Sequence, residues 1–243
     1  MIQVTGLVKS FSAQPILNEI SFEVAKGQIL FVLGQSGTGK SVLLKCLIGL
    51  LKIDSGEVII DQQRVDKLSN LELLDLRKKC GMVFQQPALF DSLSIEENIS
   101  YGLVRHFKLS KKKKADRIEK ALVSVKLDQK ILDLKPAQAS YGMQKRISMA
   151  RTLVLQPEIL LFDEPTTGLD PVSTTAINRL ILDISKQYKT TSIVVSHDMK
   201  CAYQIADRIL FLEKGRVIFD DNKVKISQSN HPMVKSFFSE VRL

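Results

Sequence analysis

Eight residues near the start of the chain have the composition of an anion cradle. Gly34, Gln35, Ser36, Gly37, Thr38, Gly39, Lys40 and Ser41 satisfy the spacing G-x-x-x-x-G-K-S. They lie between an apolar run at 28–33 and a segment with helical character from about Lys40, the strand–loop–helix setting in which such a loop binds phosphate. The glycines let the backbone wrap close to phosphate oxygens, so that successive N–H groups point inward. The following helix offers its positive end to the anion. Lys40 supplies a point charge to β and γ phosphates, and the Ser41 hydroxyl suits the shell of a Mg²⁺ ion. A nucleoside triphosphate with Mg²⁺ is the ligand pair that this chemistry predicts.

Two further segments supply groups for hydrolysis. Ile159-Leu-Leu-Phe-Asp163-Glu164 is an apolar run that ends in adjacent carboxylates. In a doubly wound sheet, ligands gather at the C-terminal ends of strands, where this pair would project. Asp163 would hold Mg²⁺ through water, and Glu164 would polarise the attacking water as general base. Ile193-Val-Val-Ser196-His197 repeats the pattern and delivers a histidine to the same sheet edge. His197 could hydrogen-bond a γ-phosphate and sense its presence.

Positioning these groups needs parallel strands. Segments 2–8 and 16–24 have strand character and are separated by a Ser/Gln/Pro turn; 28–33, 57–60 and 81–84 are short buried strands. Between about 87 and 156 the strand signals stop, and helical segments at 95–104, 111–125 and 143–156 take over. Alternation then resumes with strands at 158–162, 191–195, 208–213 and 217–219. A helix at 173–187 has Ile177, Leu180, Ile181 and Ile184 on one stripe. Near-continuous Ile/Val/Leu strands separated by helices predict a mostly parallel α/β sheet covered on both faces. The expected division is a core from 1–86 and 157–243 with a helical subdomain at 87–156.

Composition narrows the setting. The 243 residues are 44% hydrophobic and 25% charged, ordinary globular usage. No stretch approaches the about 18–20 apolar residues of a membrane-spanning helix, and the N-terminus lacks a secretory layout. The three cysteines form no metal-ligand spacing, which fits reduced thiols in the cytoplasm. The net charge is +9, and its clearest cluster is Lys108 with Lys111 to Lys114. Without interleaved aromatics this cluster does not read as a nucleic-acid platform, so no nucleic-acid partner is expected. It would suit the cytoplasmic face of an anionic membrane.

Taken together, these motifs in this order resemble the nucleotide-binding subunits of ABC transporters, over nearly the whole chain. The resemblance implies the P-loop NTPase fold of ABC ATPases, with an N-terminal antiparallel β subdomain added to the parallel core and an inserted α-helical subdomain. The family's glutamine loop is matched by Val83-Phe-Gln85-Gln86-Pro87, which implies that Gln85 touches Mg²⁺ or the attacking water. Its D-loop is matched by Thr167-Gly-Leu-Asp170, which implies that Asp170 organises a dimer interface. Phe11 stands where an aromatic usually stacks on adenine. Residues from Gln86 to about Tyr101 would meet the cytoplasmic helix of a separate transmembrane permease subunit.

The signature segment departs from the family pattern L-S-G-G-Q: Ala139-Ser140-Tyr141-Gly142-Met143 stands in its place. Ser140 and Gly142 keep their positions, and Ser140 can cap the helix that follows. The resemblance implies that this helix end is offered in trans to ATP held by a second, head-to-tail copy. Tyr141 either points away and leaves that contact intact, or weakens the composite site and slows turnover. Met143, the Pro87-Ala-Leu-Phe90 run and the tail His231-Pro-Met-Val-Lys-Ser-Phe-Phe238 resemble the ATPases of Mla-type, MCE-associated lipid-trafficking systems. An ATPase of an amino-acid or other small polar solute importer is the alternative. Other classes fit less well. A soluble ABC protein acting on nucleic acid usually carries two cassettes, and a P-loop GTPase needs N-K-x-D, whereas Asn222-Lys223 is followed by Val-Lys. A non-hydrolysing regulatory binder is favoured by Tyr141 alone.

Overall fold

The computed structural model describes residues 1–12 and 14–239. Alternating apolar residues form β1 (Ile2–Phe11) and β2 (Gln14–Val24), an antiparallel pair that includes Gln14 and Pro15 of the expected turn. Then come β3 (Ile29–Leu33), the 34–39 loop, α1 (Lys40–Leu47), β4 (Ser55–Ile60), β5 (Gln63–Arg64), α2 (Asn70–Lys79) and β6 (Cys80–Val83). The chain next runs through α3 (Ile95–His106), α4 (Lys111–Ser124) and α5 (Tyr141–Leu153) with no strand between them. It closes with β7 (Ile159–Asp163), α6 (Pro171–Tyr188), β8 (Thr191–Ser196), α7 (Met199–Ile205), β9 (Arg208–Glu213), β10 (Arg216–Asn222) and α8 (Pro232–Ser239).

Two sheets result. The smaller is antiparallel, in the order β2-β1-β4-β5. The larger runs β10-β9-β3-β8-β7-β6 and is parallel except for the β9–β10 hairpin. Period-two alternation splits β3 between two cores. Ile29, Phe31 and Leu33 pack on the side of α3 to α7, whereas Leu30 and Val32 face α1 and the smaller sheet. Burial on both faces is why β3, β7 and β8 read as unbroken apolar runs. The sheets also meet at one edge, where the Asn18 amide donates to the Gly215 carbonyl at 2.8 Å.

Parallel pairing sends several chain turns to one edge. Leu33 pairs with Ser196, Asp163 with Val195, and Val83 with Phe162. The 34–39 loop, the 163–164 carboxylates, His197 and Gln85 therefore all emerge together. Helix ends differ from the sequence reading where caps decide. Ser140 accepts from the Met143 amide at 3.3 Å, so α5 begins at Tyr141. Asp170 accepts from the Val172 and Ser173 amides at 2.9 Å, and with Pro171 at the first position α6 begins before 173. Helix α2 was not foreseen: its apolar residues make no clear stripe, and a Ser69–Glu72 capping box starts it.

Candidate functional site

The phosphate loop is packed as tightly as its spacing implies. Gly39 has φ 95 and caps α1 in the left-handed region. A Cβ built there would lie 2.8 Å from Leu17 Cδ2 and 2.9 Å from the Ile16 carbonyl oxygen of β2. Glycine is therefore demanded twice, by conformation and by space. Lys40 is 5% exposed, and its Nζ donates to the carbonyls of Gly34 at 2.7 Å and Gln35 at 2.8 Å. Thr38 Oγ1 donates to the Gln35 carbonyl at 2.9 Å and fastens the loop from inside.

The carboxylates meet this loop from β7. Ser41 Oγ donates to Asp163 Oδ1 at 2.7 Å, which joins the first turn of α1 to the strand end. Glu164 Oε1 lies 3.6 Å from Lys40 Nζ. Its Oε2 accepts from Thr167 Oγ1 at 3.1 Å and lies 2.8 Å from His197 Nδ1. Glu164 adopts φ 46, a conformation disfavoured for a side chain of this kind and often held at functional positions. Burial pushes the Asp163 carboxyl up, opposed by the Ser41 bond, and pushes the Lys40 ammonium down, opposed by Glu164 and Asp163. Both shifts mark a site where charge is held out of water.

A cavity of about 710 Å³ opens over these groups. Phe11, Gln35, Ser36, Gly37, Gly39, Lys40, Ser41, Gln85, Glu164 and His197 line it, joined by Ile16, Val42, Thr167 and Phe237. Gly34, Thr38 and Asp163 do not line it; they join it through hydrogen bonds with Lys40, Gln35 and Ser41. Phe11 is 45% exposed at the rim, with Lys9 Nζ 5.4 Å from its ring centroid. The residues fit a nucleoside triphosphate with magnesium. The loop presents a glycine-lined concavity and a buried ammonium, and a hydroxyl beside a carboxylate offers oxygen donors of the kind Mg²⁺ takes alongside phosphate oxygens. Among the described residues no group of three or more His, Cys, Asp or Glu gathers to hold a metal by itself.

Ser140, Gly142 and Asp170 do not line this cavity. They are grouped elsewhere, at the starts of α5 and α6. Tyr141 turns toward its own chain: its hydroxyl donates to Gln86 Oε1 at 3.4 Å, and its ring packs on Gly168, whose Cβ would lie 3.3 Å from it. Ser140 remains exposed at the end of α5. Phe237 was missed as a lining residue. It comes from α8 and stacks edge-on against Phe211 with centroids 4.9 Å apart. Nothing local in the sequence places it there, because the contact joins the tail to β9.

Residues 17–167 match the family model described as ABC transporter. The chain is 38% identical over 245 residues to the probable ribonucleotide transport ATP-binding protein mkl of Mycobacterium tuberculosis, covering 100% of this chain and 67% of that protein. It is 38% identical over 221 residues to the L-cystine import ATP-binding protein TcyC of Bacillus subtilis, covering 90% and 89%. It is 34% identical over 241 residues to the intermembrane phospholipid transport system ATP-binding protein MlaF of Haemophilus influenzae, covering 98% and 89%. The ATP-binding cassette MJ0796, solved as a dimer in a post-hydrolysis state bound to ADP and Pi, matches with a TM-score of 0.84 and 30% identity over 92% of this chain and 99% of that one.

Proposed function

The chain belongs to the ABC transporter family as an ATP-hydrolysing subunit, and from that premise we propose how its residues divide the work and what it moves. The observation that carries the reading is the meeting of Lys40, Ser41, Asp163, Glu164 and His197 at one sheet edge beneath one cavity. Loop amides 35–41 and Lys40 bind the β and γ phosphates. Ser41 and Asp163 would hold Mg²⁺, with Gln85 reaching toward it from the β6 end, and a bound ion would supply neutralisation of phosphate charge. Glu164 takes a proton from the attacking water. His197, hydrogen-bonded to Glu164, holds that carboxylate in place and reads the γ-phosphate. Phe11 stacks on the adenine.

The cavity leaves the outer side of the phosphates open, and a water-excluded ring of donors is needed there for transition-state charge. Ser140, Gly142 and the start of α5 are free to supply it to a second copy, arranged head to tail, with Asp170 at the same interface. The dimeric state of the MJ0796 cassette supports this arrangement. No helix of the described residues is long and apolar enough to cross a membrane, and the subunit works with separate permease chains at the cytoplasmic face. Residues 87–156 act as the helical subdomain, and the segment from Gln86 to about Tyr101 meets the permease.

The transported substrate is lipid, moved in an Mla-type system. The likeness to MlaF, the signature ending in Met143 and the 231–238 tail support this reading. The likeness to TcyC, 38% identical against 34% for MlaF, favours a second reading, import of an amino acid or other small polar solute. Purification of the native complex, with identification of its permease chains and bound lipids, separates the two. For the dimer, Glu164→Gln keeps nucleotide affinity, lowers turnover by about 10²–10⁴-fold and accumulates an ATP-bound dimer in size-exclusion chromatography. A variant that stays monomeric at saturating ATP and Mg²⁺ refutes the trans arrangement.

A further inference from the structure

Helix α5 carries two cations whose charged ends close on the loop leaving β6. Lys145 is 1% exposed, and its Nζ donates to the backbone carbonyl of Gln85. Further along the helix, Arg151 donates to the carbonyls of Ala88 at 2.8 Å and Pro87 at 3.4 Å, and its guanidinium lies 5.9 Å from the Phe90 ring centroid. Thr152 Oγ1 adds a bond to the Met82 carbonyl of β6, just before the loop, at 3.4 Å. The loop is thus fastened to α5 along its length. Its backbone is not relaxed, since Ala88 sits at φ 49. Such a conformation persists only where the surroundings hold it.

Lys145 is the unusual member of this clamp. The Gln85 carbonyl is the hydrogen-bond partner of its ammonium among the described residues. The Tyr141 ring lies 5.4 Å from Nζ. A methionine would occupy the same space without desolvating a charge. The ammonium therefore does something that packing does not require. Gln85, whose carbonyl it grips, lines the nucleotide cavity.

We infer that Lys145 is a positioning residue for ATP hydrolysis: its ammonium fixes the Gln85 backbone to α5 and so aims the Gln85 side chain into the cavity. The inference rests on the role proposed above for Gln85. Because Ser140 caps the same helix, any displacement that brings the start of α5 onto a partner copy's nucleotide also moves Gln85 in its own cavity. One helix thereby links the two sites of a dimer.

A double-mutant cycle in steady-state ATPase assays tests this, with Lys145→Met, Gln85→Ala and the combination, each checked for folding by its thermal midpoint. Misplacing a group by about 1 Å lowers turnover by about 100-fold, so Lys145→Met is expected to reduce kcat by about 10- to 100-fold with KM for ATP within about threefold. In the Gln85→Ala background the same substitution should change kcat by less than about twofold, because the group it positions is gone. Lys145→Gln, which keeps a donor without the charge, should fall between wild type and Lys145→Met, and it serves in place of Lys145→Met if that variant fails to fold. Equal fold losses in both backgrounds overturn the inference and leave Gln85's role standing. Wild-type turnover in Gln85→Ala alone refutes the Gln85 reading, and this inference falls with it.

Discussion

Replacing Gly39 with alanine isolates what close packing of the phosphate loop demands. At φ 95 an L-residue carries a left-handed penalty of about 1–2 kcal/mol. The added Cβ would also press on Leu17 Cδ2 at 2.8 Å and the Ile16 carbonyl at 2.9 Å. Leu17 is fully buried and the carbonyl belongs to a paired strand, so neither can yield freely, and overpacking of this kind costs about 1–3 kcal/mol. The two effects sum to about 2–5 kcal/mol. In a domain of this size each kcal/mol lowers the thermal midpoint by about 2–4 °C, so Gly39→Ala should melt roughly 4–20 °C below wild type. Gly37→Ala is the control: its φ is 81, yet nothing lies within 4 Å of a built Cβ. It should carry only the backbone penalty, roughly 2–8 °C. Differential scanning fluorimetry without nucleotide measures both. The shift that ATP and Mg²⁺ induce in wild type should shrink in Gly39→Ala, whose loop must move to admit the methyl. Equal midpoints for the two variants would refute the reasoning that β2 buttresses the loop.

Two further outcomes follow from side chains around the cavity. Tyr141→Gly should leave the ATPase rate unchanged or raise it, because the ring packs on Gly168 and Gln86 of its own chain; glycine in place of tyrosine at the start of α5 lowers helix stability by about 0.5 kcal/mol. A large drop in turnover would show that the ring shapes the site. Asp163→Asn should raise the thermal midpoint at neutral pH without nucleotide or magnesium while abolishing Mg²⁺-dependent hydrolysis. Burial holds the Asp163 carboxyl above its ordinary value of 3.8, so its ionised form is penalised in the folded state at neutral pH. The penalty disappears as pH falls through the raised pKa toward 3.8, where wild type takes up the proton. Midpoints measured from pH 8 to 4 should therefore converge, and a gap that widens on acidification would contradict the assignment.

The parts of this site that are contiguous in the chain were legible in the sequence. Gly34 to Ser41 carry their own spacing, and Asp163 with Glu164 follow an apolar run that parallel pairing turns toward the loop. The β3, β7 and β8 strands announced themselves because burial on both faces leaves no polar alternation. Helix α2 was hidden because its exposed Leu71 and Leu74 break any apolar stripe, although Ser69 and Glu72 spelled its start. Helix α7 spans seven residues, too short for a periodic signal. Lys145 and Phe237 were illegible for another reason. Each matters through a partner far away in the chain, Gln85 and Phe211, and no local pattern records such a meeting. Tyr141 read as a defect in a glycine motif, and only its packing on Gly168 shows where its bulk is accommodated.

The bond from Asn18 to Gly215 has a consequence for how the molecule breathes. It sits where β2 leaves the cavity wall at Ile16, and the Gly215 turn is so close to Ile16 that a Cβ there would lie 2.5 Å from its carbonyl. Deuterium can replace that amide proton only when the seam parts, at a rate set by local opening rather than by global unfolding. The Asn18 proton is thus a built-in clock for separation of the two sheets, and filling the neighbouring cavity with nucleotide should slow it.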